Sequence, residues 1–121
     1  MILVDTSVWI NHLHKQDEQL TNLLIKNQII CHPLVIGELA CGNLHQRQKI
    51  LSLLKALPTI QEVNTLDVLD FIEQQKLMGR GIGIVDITLL FATYIHQIKL
   101  WTEDKRLKTV AKTLNLSYIV E

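Results

Sequence analysis

The chain has 121 residues, 48% of them hydrophobic but only 5% aromatic, a length and composition that predict one domain folded around an aliphatic core. Twelve Lys and Arg balance twelve Asp and Glu, so the formal net charge is zero; this argues against a generic basic nucleic-acid binder and leaves any phosphate attraction local or metal-mediated. No stretch approaches the roughly 20 uninterrupted apolar residues of a membrane span and the first residues carry no cationic export signal, so a cytoplasmic protein with no membrane association is expected.

In chain order, short apolar runs alternate with helical periodicity. Ile2-Leu3-Val4 runs directly into Asp5, Thr6 and Ser7, which reads as a buried strand delivering Asp5 at its carboxyl end, with Thr6 or Ser7 capping the next helix. That helix carries Val8, Trp9, Ile10 and Leu13, and a second follows through Leu20, Leu23 and Leu24. Residues 29–31 form the second predicted strand. His32-Pro33 then starts a helix to about Gly42, with proline in the first turn, where its missing N–H costs nothing. Cys31 and Cys41 sit in apolar sequence and read as core thiols, since no spacing suggests a disulfide framework or zinc. Residues 46–57 predict a surface helix ended by Pro58, and residues 60–63 an edge strand. Asn64 or Thr65 caps the following helix, whose expected buried stripe is Leu66, Leu69, Ile72 and Leu77. Gly79, Gly81 and Gly83 resemble a phosphate cradle, but the P-loop lysine is missing and the stretch follows a helix, so a mobile loop is expected. An apolar helix over 84–97, a strand over 99–102, an amphipathic helix over 104–114 and a last strand over 116–120 complete the chain.

Four acids stand out because each lies against apolar sequence. Asp5 ends the first strand. Helical spacing puts Glu38 on one face with Leu34, Val35 and Cys41, and Asp86 with Leu89 and Leu90. Asp104 follows Trp101-Thr102-Glu103, repeating the strand-then-acid order of Val4-Asp5-Thr6. An unpaired buried carboxylate costs several kcal/mol, so each needs a cation, a raised pKa or a metal. The structural alternatives are helix capping for Asp5 and Asp86 and a salt bridge for Glu38. If the two acid-ended strands are parallel neighbours, Asp5 and Asp104 share one crevice and the helices bearing Glu38 and Asp86 lean over it. Four converging carboxylates predict a hard divalent cation, Mg²⁺ or Mn²⁺, that activates water and clamps a phosphodiester. Lys105, Arg106, Lys108 and Lys112 follow Asp104 and form either a phosphate-facing edge or a solvated helix face.

Set in Leu-Val-Asp-Thr-Ser, Val-Ile-Gly-Glu-Leu, Gly-Ile-Val-Asp and Trp-Thr-Glu-Asp, these acids occur in an order that resembles the PIN-domain ribonucleases, and closely the VapC toxins of toxin and antitoxin pairs. The resemblance implies an α/β fold, a PIN-like α/β/α sandwich with a central parallel sheet of about four to five strands in one domain spanning 1–121. It also implies a Mg²⁺-dependent endoribonuclease acting on structured RNA such as tRNA or rRNA and silenced by a VapB-like antitoxin. Carried onto this chain, it gives metal-site roles to Asp5, Glu38, Asp86 and Asp104 and supporting hydroxyl roles to Thr6 and Thr102. The chain departs from its relatives in having Asn11 where an acid is common, Leu107 where an aromatic is common, and Thr88, Leu90 and Phe91 where residues are often small. Aliphatic residues of the 46–57 helix and beside His32-Pro33 predict a homodimer. The rivals are a receiver-like signalling module, which lacks the lysine at a late strand end, and a catalytically silent PIN-like adaptor.

Overall fold

A computed structural model describes residues 1–120. Three short strands, β1 (Ile2–Val4), β2 (Ile29–Ile30) and β3 (Lys99–Trp101), form a wholly parallel sheet in the order β2-β1-β3. Parallel strands need crossovers, and helices supply them. From β1 to β2 run α1 (Thr6–His14) and α2 (Glu18–Ile25); from β2 to β3 run α3 (Pro33–Ala40), α4 (Arg47–Ala56), α5 (Thr65–Gln75) and α6 (Ile84–His96); α7 (Lys105–Thr113) follows β3. The first crossover leaves β1 on one side and the second returns on the other, so the chain reverses direction at β1, whose carboxyl end is where such sheets open a crevice. Among the described residues no helix is long and apolar enough to cross a membrane.

The sheet has three strands instead of the expected four or five. Residues 60–63 and 116–120 form no strand; each edge keeps one bridge, Cys31 to Thr59 and Leu100 to Ser117. The Cys31 bridge is made by its N–H to the Pro58 carbonyl and by the Ile60 N–H to the Cys31 carbonyl, both 2.8 Å. It extends no further because His32 caps α3 and Pro33 has no N–H to offer a ladder. On the other edge β3 is only three residues long before the chain turns toward α7, leaving Leu100 alone to pair outward.

Local signals set the helix starts. Asn64 Oδ1 accepts from the Leu66 N–H at 2.8 Å, Asp17 Oδ1 from Leu20 at 2.9 Å and His32 Nδ1 from Leu34 at 3.0 Å, each satisfying an otherwise unpaired first-turn donor. The central helix is α6, which buries Ile87, Leu89, Leu90, Phe91, Ala92 and Thr93. Helix α5 packs on it through Phe71, whose ring lies 5.0 Å from Phe91 and 5.2 Å from Tyr94. The expected α5 stripe holds at its end, where Leu77 is buried and Ile72 packs partly buried against the core, but not at its start. Leu66 and Leu69 are exposed, and Val68, Phe71 and the following Leu77 are inside, because the face with the aromatic ring fills more of the space over α6. Cys31 is a core thiol as expected, but Cys41 lies exposed just past the end of α3.

Candidate active site

The parallel pairing of Val4 with Trp101 places the ends of β1 and β3 side by side. One residue on, the Asp5 N–H donates to the Trp101 carbonyl at 2.9 Å, and the Asp5 carbonyl accepts from Val8 and Trp9, at 3.1 and 3.3 Å, to open α1. Asp5 is thus the helix N-cap by backbone position, yet its side chain makes no capping bond, so capping does not consume the carboxylate. Its residue is only 5% exposed, and Oδ2 accepts from Thr102 Oγ1 at 2.7 Å and from Ser7 Oγ at 3.0 Å. Both hydroxyls are held in turn. The Asp104 N–H donates to Thr102 Oγ1 at 3.1 Å and the Glu103 N–H to Ser7 Oγ at 3.0 Å.

This lattice orients a buried charge using neutral donors alone. Removing one donor strands part of it, and Thr102→Val is expected to cost roughly 1–3 kcal/mol in a urea unfolding experiment at pH 7. Thr102→Ser, which retains the hydroxyl, should recover most of the loss. Equal stability of Thr102→Val and the parent chain would show that the bond contributes nothing.

The other three acids surround this point differently. Asp86 is not a cap, since Gly83 occupies that position; it lies in the first turn of α6, half-buried. Its carboxyl is pushed up to about 6, first by burial, then by the charge of Asp5, with Asp104 and Glu38 adding to the rise and a hydrogen bond from the Gly83 backbone opposing it. Asp104 is exposed and caps α7 through Oδ1, which accepts from the Leu107 N–H at 3.0 Å. Glu38 departs from expectation. The buried face of α3 carries Val35 and Leu39, and Glu38 lies exposed at the rim with Cys41, where its Oε1 accepts from Thr6 Oγ1 at 2.6 Å. Neither a core position nor a salt bridge accounts for it. Glu103 turns aside, its Oε1 accepting from Trp101 Nε1 at 3.2 Å.

Thr6 and Thr102 therefore orient Glu38 and Asp5 respectively. Ser7 does the same for Asp5, where the sequence suggested only a helix cap. The available signal was the Asp-Thr-Ser run, in which consecutive hydroxyls at a helix start turn toward different partners.

Among the described residues no three His, Cys, Asp or Glu side chains form a ready-made shell for a metal ion. The acids feel one another without closing on a common point. Such an open set, made of oxygen donors only, suits Mg²⁺ or Mn²⁺, which retain several waters, better than zinc, which seeks a closed tetrahedron of nitrogen and sulfur. Burial, and after it the repulsion of Asp5, Asp104 and Glu38, holds the Asp86 carboxyl near 6, and a divalent cation relieves the repulsive part, so the residues fit the group.

A PIN domain family model matches residues 2–113. Ribonuclease VapC32 of Mycobacterium tuberculosis, strains CDC 1551/Oshkosh and ATCC 25618/H37Rv, is 48% identical over 109 residues, covering 89% of this chain and 88% of the relative. The crystal structure of PAE2754 from Pyrobaculum aerophilum superposes with a TM-score of 0.64 at 16% identity, covering 93% of this chain and 90% of the other, a likeness of fold.

Proposed function

The chain belongs to the PIN-domain family, and from that premise we propose that it is a VapC-type ribonuclease toxin: a Mg²⁺-dependent endoribonuclease that cuts structured RNA such as tRNA or rRNA in the cytoplasm and is neutralised by a VapB-like antitoxin. The observation that carries this reading is the charge arrangement: a buried Asp5 whose carboxylate accepts from two hydroxyls, beside an Asp86 that burial and then three other acids drive up to about 6.

Asp5, Glu38, Asp86 and Asp104 would hold the cation. Once bound, it supplies Lewis-acid polarisation of the phosphodiester and a lowered pKa for an attacking water. The chain's own residues do the positioning. The Thr102 and Ser7 hydroxyls fix the Asp5 carboxylate in one orientation, and Thr6 holds Glu38 at the rim, where RNA enters from solvent. The carboxylates accept hydrogen bonds from water at the site, aim its lone pair at phosphorus and take up its proton, so that the P–O bond to the leaving oxygen breaks as the new one forms and the departing oxygen takes a proton from solvent.

A cleavage assay on a labelled structured RNA tests the reading. EDTA is expected to suppress cleavage by about a hundredfold or more, Mg²⁺ or Mn²⁺ to restore it, and Asp5→Asn to stay inactive in either metal. Undiminished cleavage in EDTA, or a parent rate in Asp5→Asn, would overturn it, and a folded parent that never cuts RNA would point to a silent adaptor. We also propose a homodimer, supported by the exposure of Leu34 on α3, Leu53 on α4 and Ile84 on α6. Sedimentation of a monomer at micromolar concentration would exclude it.

A further inference from the structure

We propose that Arg80, Lys105 and Arg106 form a grip for an RNA backbone phosphate beside the one that is cut, and that Gly81 seats it. The inference rests on the ribonuclease reading for the identity of the strand, but on different residues. The loop between α5 and α6 closes against the start of α7, and there Arg80, Lys105 and Arg106, with Thr109 and Val110, line a depression of about 220 Å³. Arg80, Lys105 and Arg106 are all exposed to solvent.

The approach that builds the grip is close. Gly81 has φ +77°, and at the place its Cβ would occupy lie Cδ, Nη1 and Nε of Arg106, at 2.8, 2.9 and 3.2 Å. Any side chain at position 81 would both strain the backbone and displace the guanidinium. The alternating glycines do not cradle a phosphate with their own amides, as a P-loop does; one of them gives room for an arginine that can.

Position supplies the function. Lys105 directly follows Asp104, and Arg80 lies three residues before Gly83, the cap of the helix bearing Asp86. The cations therefore lie in the loop that leads into α6 and in the first turn of α7, next along the chain to the helix starts where Asp86 and Asp104 stand. A strand brought to those acids meets repulsion, which neighbouring cations offset in a protein of zero net charge. Planar guanidinium forks match phosphate oxygens in pairs, and the open depression has room for such a group. An acidic peptide offers carboxylates, but not the regular spacing that would bring one anion here while another sits among the acids.

The experiment combines steady-state cleavage of a labelled oligoribonucleotide in Mg²⁺ with anisotropy binding of the same oligoribonucleotide in EDTA, using the full chain over a range of salt. Arg80→Ala with Arg106→Ala is expected to raise KM and the EDTA Kd by roughly tenfold or more, with kcat changed little. The log–log salt slope should shrink by about 0.7 for each phosphate that no longer meets a cation. Gly81→Ala should reproduce part of the KM rise with every cation still present, Arg106→Lys should fall between the parent and the alanine variant, and Lys26→Ala, exposed at the end of α2 and outside the depression, should match the parent. An unchanged KM, Kd and salt slope in the double variant of a chain that cleaves RNA would overturn the grip. So would a loss of binding to polyglutamate while RNA binding is kept. A parent that binds RNA through these arginines but never cleaves it would instead overturn the ribonuclease reading and leave the grip standing.

Discussion

Asp86→Asn is expected to lower RNA cleavage by about a hundredfold or more while stabilising the metal-free protein above pH 6. The native carboxyl is held at about 6, against an ordinary value of 3.8, by burial and by Asp5, Asp104 and Glu38. Between those two values the folded chain keeps a proton that the unfolded chain releases, so stability falls as pH rises through that window. The penalty is complete above pH 6 and absent below pH 4. Asparagine carries no charge to repel, and its carbonyl can still accept the Gly83 backbone hydrogen bond. Urea unfolding in EDTA should therefore favour the variant at pH 7.5 and show no difference at pH 3.5. Saturating Mg²⁺ should reverse the order, because a ligand bound to the native state stabilises the chain that binds it better. Equal gains at both pH values would trace the effect to packing, and parent-level cleavage would remove Asp86 from the site.

Phe71→Ala is expected to destabilise the fold by roughly 3–5 kcal/mol, a large share of the ~5–15 kcal/mol that a domain of this size holds in reserve. Phe71 is 2% exposed and is the residue by which α5 grips α6, with its ring against Phe91 and Tyr94. Removing it leaves a cavity between two helices that cannot close fully, and α6 is the helix that carries Asp86, so cleavage should fall at temperatures where the global fold persists. Leu66→Ala, on the outward face of the same helix at 68% exposure, should stay within about 0.5 kcal/mol of the parent. Calorimetry of both variants checks the pair. A similar cost at Leu66 would mean that another surface covers it in solution.

Both expectations depend on facts with different visibility in the sequence. The identity of the four acids was legible because each interrupts an apolar run, and a charge placed there needs a reason. Their individual circumstances were not. Glu38 shares helical spacing with apolar neighbours, yet the core takes Val35 and Leu39 and leaves it at the rim; a short helix with apolar residues on most of its circumference does not reveal which face turns inward. The same ambiguity misplaced Leu66 and Leu69 of the α5 stripe and the environment of Cys41.

By itself the sequence determined the alternation of strands and helices, the strand that runs into Asp5, the helix starts near residues 64 and 104, the proline start of α3 and which acids stand out as candidates for a cation. These are decided within a turn or two of chain, where caps, proline geometry and periodicity act. The tertiary structure decided the rest. The hydroxyls that hold Asp5 include one 97 residues away, Arg106 reaches Gly81 across the gap between two helices, and the outer strands shrink to single bridges because their partners turn into helices too soon. No local preference encodes such meetings: their free energy exists only once the sheet has brought β1 and β3 together, and the burial that makes a carboxylate's charge costly is a property of the packed core around it.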